Sequence, residues 1–305
     1  MAEKSKIGSS AEILKEEIVM TAPNESPIIF RDIETISEMR AVEELQMHAW
    51  GDDPRDIVPV SQLAAARHVG GSLIGAFAGE TLGGFVYGFY GRLGSSIIHH
   101  SHMLAVHNAY RNRDLAFRLK LAQREHVLKE GITDRITWTF DPLQSLNAYF
   151  NFAKLGVISD VYKVNAYGEA GTSFLHQNGT DRFFVTWLLN SSRVKGRIDR
   201  RSAGSPDERI SSLDAVPLIR CDESNRPQRM ADIGHIDRIE SALVEIPTSI
   251  SSIEKADFST ARNWRNETRE VFTETLKAGF VVTDFFRKNE RAGVYLLQKR
   301  RLEDM

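Results

Sequence analysis

The chain has 305 residues, 42% hydrophobic and 26% charged, enough apolar material for one large core or two modest ones. A net charge of -2 excludes the global basic field that recruits nucleic acid or an anionic membrane, and no apolar run reaches the length of a bilayer span. The single cysteine, Cys221, excludes an intrachain disulfide, and its polar setting, Ile219-Arg220-Cys221-Asp222-Glu223, carries no nucleophile motif. A reducing, cytoplasmic setting is expected.

Residues 1–26 read as a mobile tail with at most one short helix near Glu12 to Met20, because Lys15, Glu16 and Glu17 interrupt any signal-peptide core. A strand is predicted at Ile28 to Arg31. A helix follows at Thr35 to Trp50, where Ile36, Met39, Val42, Leu45 and Ala49 recur every three or four residues. Gly51 and Pro54 end it. Ser61 to His68 is a short helix closed by Gly70-Gly71, and Ser72 to Ala78 and Thr81 to Tyr90 form a hairpin about Gly79-Glu80. Ile97 to Val106 is the next strand, and Asp114 to Glu130 a long helix stopped by Gly131. Arg135 to Phe140 is a strand, Leu143 to Leu155 a helix ended by Gly156, and Val161 to Tyr167 and Arg182 to Leu189 are strands.

Serines, glycines and arginines then dominate, and residues 191–216 read as a linker or long loop between a unit at 27–190 and a smaller α/β region at 217–305. In that region Ala242 to Ile246, Phe280 to Phe286 and Gly293 to Gln298 are predicted strands and Phe258 to Lys277 a helix. Its helix-Gly-strand-turn-strand ending echoes Asn147 to Leu189, a partial duplication. Arg262, Arg265 and Arg269 cluster on one side of the helix, where Glu267, Glu270 and Glu274 offer salt-bridge partners.

The segment most informative about chemistry runs from His100 to Arg124. A strand (Met103-Leu104-Ala105-Val106) enters a polar turn (His107 to Arg113) that delivers a helix N-terminus at Asp114-Leu115-Ala116. Unpaired amides and the positive helix end there converge on one spot, an anion site suited to a pyrophosphate. This segment resembles the signature of the Gcn5-related N-acetyltransferase (GNAT) superfamily, a strand ending Leu-x-Val before Arg/Gln-x-x-Gly-x-Gly/Ala: Leu104-Ala105-Val106, Arg111 and Ala116 match it. Asn147, then Lys154-Leu155-Gly156, resembles its second motif. The runs His100-Ser101-His102-Met103-Leu104, Leu119 to Arg124 and Thr137 to Pro142 are similar to a subgroup of predicted acyltransferases with a C-terminal extension.

The resemblance covers roughly residues 28 to 190. It implies a splayed mixed β-sheet flanked by helices, acetyl-CoA or another acyl-CoA as co-substrate, and transfer to a primary amine of a small molecule. It implies cofactor contacts from Leu104, Val106, Arg111, Asn112, Arg113, Asp114, Leu115, Ala116 and Asn147. Two departures stand out. Asp114 replaces the family's glycine, and a carboxylate about 5 Å from a phosphate costs roughly 3 kcal/mol at an effective dielectric of 20, unless it turns back to cap the helix. Phe152 replaces the tyrosine that serves as general acid, leaving Tyr149 one turn earlier as substitute.

His100 is the candidate base, then His102, since a neutral imidazole accepts a proton near pH 7. Both share a strand face with Leu104 if no bulge intervenes, and both are equally readable as packed side chains. His-x-His also suits a metal, but no third ligand is identifiable and none is expected. Asp141 and Asn165 with Tyr167 are weaker acceptor-side candidates. The expected partners are acyl-CoA and a small amine, with neither nucleic acid nor membrane and with room for a homodimer. The competing reading is a catalytically silent GNAT-fold protein that binds CoA or serves as an interaction module.

Overall fold

The computed structural model describes residues 27–51, 53, 55–111, 113–168, 178–199 and 214–301. The predicted tail, Asn112 and most of the 191–216 segment lie outside them. In chain order the elements are β1 (Ile28–Asp32), α1 (Ile36–Trp50), α2 (Val60–His68), β2 (Leu73–Ala78), β3 (Thr81–Leu93), β4 (Ser96–Val106), a 3-10 turn (Asn108–Tyr110), α3 (Leu115–Glu130) and β5 (Arg135–Phe140). There follow α4 (Ser145–Ala148), which continues as π-helix over Tyr149–Leu155, then β6 (Ile158–Lys163), β7 (Arg182–Leu188) and α5 (Ser192–Ile198). The C-terminal region contributes β8 (Val216–Cys221), β9 (Pro227–Arg229), a 3-10 segment (Ile233–Arg238), β10 (Ser241–Pro247), α6 (Ile250–Ala256), α7 (Phe258–Lys277), β11 (Phe280–Arg287) and β12 (Ala292–Lys299).

Among the described residues these strands make one mixed sheet, in the order β1-β2-β3-β4-β5-β7-β6-β11-β12-β10-β8-β9. Pairing is antiparallel except for β4 with β5 and β8 with β10. The fold is therefore the mixed α/β sheet flanked by helices that the sequence implies. Helices α1 and α2 cover one face of β2–β4 through Met39, Val42, Leu45 and Leu63 against Phe77, Phe85, Tyr87 and Ala105. Thr35 and Glu38 start α1 with reciprocal hydrogen bonds, satisfying two otherwise orphaned amides. On the opposite face α3 packs Leu115 and Leu119 on Ile74, Ala76 and Val86.

A third core runs from Phe117, Trp138, Phe152 and Phe183 straight into Trp264, Phe272, Phe285 and Tyr295 of the C-terminal region. The two regions also join edge to edge, where Val282 of β11 registers with Ser159 of β6. The Tyr295 hydroxyl donates to the Pro142 carbonyl at 2.8 Å, and Arg197 of α5 bridges to Asp284 of β11. The strand order reads the same outward from that junction. β4 parallel to β5, then β7, then β6, is answered by β8 parallel to β10, then β12, then β11.

Three expectations need correction. The strand expected at Val161 to Tyr167 begins earlier, at Ile158, and has ended by Asn165, which turns the chain at φ 47°. The segment after β7 opens with a helix, α5, capped by Ser191 and anchored by buried Val194. β8 goes unread because Pro217 interrupts it; the sheet absorbs the proline beside a register shift next to Leu243.

Candidate active site

β4 pairs with β3 from Ser96 to Val106, with one interruption, but with β5 only at His99 opposite Ile136 and His100 opposite Thr137. Beyond those pairs the strands part. The β5-facing edge of β4 from Ser101 to Val106 then has no strand partner among the described residues, and its main-chain donors and acceptors are open to a ligand. The edge leads to His107, whose Nδ1 accepts the Ala109 amide at 3.3 Å, and through the 3-10 turn to Asp114 and α3.

Asp114 occupies the left-handed region, φ 56° and ψ 17°, the conformation a glycine adopts freely. It does not cap the helix, contrary to the role the sequence left open for it. Its Oδ1 accepts instead from Lys154 Nζ at 2.9 Å, tying the start of α3 to the end of the π-helix. With no side-chain cap, the Leu115 and Ala116 amides have no acceptor among the described residues. Arg111 lies exposed at the same turn, the Arg113 guanidinium sits 5.5 Å over Tyr110, and that of Arg118 sits 4.5 Å over Phe30. Leu104 and Val106 pack their side chains beneath α3, so what they offer the opening is backbone.

β4 is bulged at His102. Tyr87 registers with Met103 and Gly88 with Ser101, leaving His102 unpaired. The expected common face of His100, His102 and Leu104 therefore fails beyond the bulge. His100 and His102 lie toward the α1/α2 side, their rings 5.7 and 5.9 Å from Phe89, whereas Leu104 packs on the α3 side. The two imidazoles are 6.3 Å apart. His100 Nδ1 lies 3.1 Å from Thr137 Oγ1, and its ring stacks on Phe184 at 6.1 Å. Burial, with the nearby charges of His102, Lys120 and Lys163, pulls His100 down to about 4, so it is neutral near pH 7. Burial lowers His102 as well.

On the other face a buried polar cluster escaped the sequence reading. Lys120 Nζ donates to Ser101 Oγ at 3.0 Å and Gln123 Oε1 at 2.8 Å, beneath the Trp138 ring at 3.8 Å; Gln123 continues to Ser72. Beside it His99 is fully buried with neither ring nitrogen hydrogen-bonded. Only a glycine fits at position 88, since a Cβ there would lie 2.4 Å from His99 Cε1. Burial and then the charges of Lys120, His126 and His100 hold His99 at about 3. The unfolded chain gains protons on these two histidines below about pH 6.5 and the folded chain does not. Stability should thus be full above that pH and decline as pH falls through 6.5 toward 4. Urea midpoints are expected to hold level from pH 7.5 to about 6.5 and to drop from there to pH 5, and a midpoint flat over the whole range would contradict the assignment.

Asn147 is exposed on α4, whereas Asn151 is buried and accepts from Trp138 Nε1 at 3.2 Å. Four residues apart, the two do not line one face, because the chain widens to a π-helix at Tyr149 and the four-residue spacing no longer stacks. Tyr149 lies beneath the Arg287 guanidinium, 4.1 Å from its ring centroid, on the β11 side; it is not brought to His100. Phe152 is core, packed against Phe140, Phe183 and Tyr295. Asp141 does not face an acceptor: Oδ1 receives the Leu143 amide and Oδ2 receives Arg265. Arg265 and Arg269 likewise leave the acids of their own helix, since Glu267 and Glu270 go to Arg229 and Arg269 makes a bidentate pair with buried Asp181.

Solved structures similar to this chain include an acetyltransferase of the GNAT family from Streptococcus pneumoniae, at 13% identity, covering 53% of this chain and 99% of its own, TM-score 0.44. A ribosomal-protein alanine N-acetyltransferase from Escherichia coli matches at 12% identity, 54% and 96% coverage and TM-score 0.43. An aminoglycoside 6'-acetyltransferase matches at 16% identity, 53% and 98% coverage and TM-score 0.43. This is a likeness of fold. No family model matches the chain, and no curated protein matches its sequence.

Among the described residues no group of three or more His, Cys, Asp or Glu is placed to hold a metal ion, and no helix is long and apolar enough to cross a membrane. Burial, then Glu245 and Asp222, push the Cys221 thiol up to about 11, too high for a nucleophile at neutral pH.

Proposed function

We propose that this chain is a cytoplasmic acyltransferase that moves an acyl group, acetyl in the simplest case, from acyl-CoA to the primary amine of a small molecule. One observation carries the reading: β4 and β5 part after His100 and Thr137, and the freed edge of β4 leads through a 3-10 turn to a helix start that Asp114 does not cap. The residues present fit the cofactor. The open edge from Ser101 to Val106 would hold its pantetheine amides, and the Leu115 and Ala116 amides with Arg111 and Arg113 would hold its pyrophosphate. When bound, acyl-CoA supplies the activated thioester. His100 receives the amine proton, Thr137 fixes the imidazole, and main-chain amides of β4 stand where negative charge on a carbonyl oxygen would develop. Tyr149, held under Arg287, is a weaker candidate for the acid than the sequence suggested. With β11 covering β6, a homodimer would use another border of the sheet, β1 or β9.

Calorimetry with CoA and acetyl-CoA tests the reading; saturable micromolar binding is expected, and no heat with either would overturn it. Asp114→Gly refines the test. The substitution relieves a left-handed aspartate, worth about 1 kcal/mol, and removes an exposed ion pair worth about 0–1 kcal/mol, so the melting temperature should barely move. CoA affinity should rise roughly tenfold as a carboxylate leaves the pyrophosphate's surroundings.

A further inference from the structure

The fork where β4 and β5 part is flanked on both faces of the sheet. Ser101 is the first residue of β4 past its last pair with β5, and Trp138 is the first of β5. On one face His100 and Thr137 meet across the strands. On the other, Lys120 reaches in from α3 to both sides of the fork. Its Nζ donates to Ser101 Oγ at 3.0 Å and lies 3.8 Å from the Trp138 ring centroid. Gln123 Oε1 accepts from the same nitrogen at 2.8 Å, and Gln123 Nε2 is itself tied to Ser72 Oγ at 3.0 Å. A hydroxyl, an amine and a group that orients the amine thus stand in a row that ends at the fork.

Ser101, Lys120 and Gln123 are all buried, and among the described residues no carboxylate lies at ion-pair distance from Lys120. A lysine is seldom taken out of water without a counter-charge. The indole face and two neutral acceptors solvate an ammonium there in part, and leave it suited to an anion that arrives from outside. Cleavage of a thioester generates such an anion. The pantetheine is assigned to the β4 edge from Ser101 onward and the amine to His100, so the sulfur between them falls at the fork, beside Ser101. The helix residues expected to supply an acid do not reach it: Phe152 is core, and Tyr149 is held under Arg287 on the β11 side.

We infer that Ser101, backed by Lys120, protonates the thiolate that leaves acyl-CoA. Ser101 gives its hydroxyl proton to the sulfur as the C–S bond breaks and the bonding pair passes to sulfur. Lys120 gives an ammonium proton to the serine oxygen in the same step. The neutral Lys120 amine then regains a proton from water, and His100 releases the one it took from the acceptor, so none is gained or lost overall. An acid for this step works best when matched to the thiol, near 8.5, below the roughly 10.4 of an exposed lysine. Burial draws Lys120 below the ordinary lysine value. The inference rests on the transferase reading above.

Calorimetry at about pH 8 with CoA and with desulfo-CoA, which lacks the sulfur, tests the site without the acceptor. In the unaltered chain CoA should bind about tenfold tighter, the effect of one charge-assisted hydrogen bond. That ratio should fall to near one in Lys120→Met and by severalfold in Ser101→Ala, a smaller change that spares the buried amine. In turnover, kcat of Lys120→Met should fall about a hundredfold with KM for acetyl-CoA unchanged. Equal affinities in the unaltered chain would overturn the inference and leave the cofactor site standing. So would a ratio unmoved in both variants, as a merely structural lysine would give, or an unaltered kcat in Lys120→Met. No binding of either ligand to the unaltered chain, or bound acetyl-CoA with no turnover of any acceptor, would overturn the transferase reading and this inference with it.

Discussion

Replacing His100 by alanine should lower kcat by about a hundredfold to a thousandfold, the usual contribution of a positioned general base, with CoA affinity unchanged. Affinity is spared because the imidazole lies on the α1/α2 side, away from the edge and helix start assigned to the cofactor. The pH profile should be equally telling. With His100 held near 4, the base is already deprotonated through the neutral range. After correction for ionisation of the amine itself, the rate should stay level down to about pH 5 and fall only as pH nears 4. An imidazole of ordinary basicity would bring that fall to about 6.5. Such a weak base cannot strip a free alkylammonium, a transfer uphill by about six pK units or 8 kcal/mol. It accepts the proton as the new C–N bond makes the nitrogen acidic. A His100→Ala variant with unaltered kcat would remove His100 from the chemistry.

The second large effect concerns stability. Arg265→Ala should cost about 3–5 kcal/mol, the range for breaking a buried ion pair from one side. Arg265 is 3% exposed, pairs with Asp141 Oδ2 at 2.7 Å and donates to the Asn178 carbonyl at 2.9 Å. Burial alone would lower its basicity, yet Asp141 raises it above the usual arginine value, so the guanidinium stays charged. Truncation strands Asp141 at the turn that begins α4. Replacing both, as Arg265→Met with Asp141→Leu, should restore part of the loss, because apolar pairs of similar volume often match buried ion pairs. Urea unfolding of the two singles and the double gives the coupling. A loss below about 1 kcal/mol in Arg265→Ala would mean that the pair contributes as little as an exposed one.

Much of the architecture could be read from periodicity alone. Ile136, Trp138 and Phe140 alternate as a half-buried strand must, and the three- and four-residue spacing of Met39, Val42 and Leu45 marks their helix correctly. The strand, turn and helix start proposed to hold the anion were legible because a helix start following a strand leaves amides exposed whatever its side chains. What was hidden depends on pairings far apart in the chain. The bulge at His102 follows from the register against β3, which no local pattern announces. Arg265 finds Asp141 across 124 positions, whereas its own helix offers three glutamates closer at hand. Lys120 did leave a trace: with Gln123 and Val127 it falls on the buried stripe of α3, where a lysine is out of place unless it has hydrogen-bond partners inside.

The sheet's repeated strand order has a consequence for how labour is divided within the chain. In the first half the crossover from β4 to β5 runs through α3, and that helix brings the amides to the cleft. In the second, the crossover from β8 to β10 contains only the short β9 and a 3-10 segment. No helix start reaches its parallel strand pair, so the mirrored half holds no counterpart of the cradle. It acts as a buttress, its helix α7 bracing the loops of the first half through Arg265 and Arg269, much as one leaf of a diptych carries the picture and the other keeps it upright.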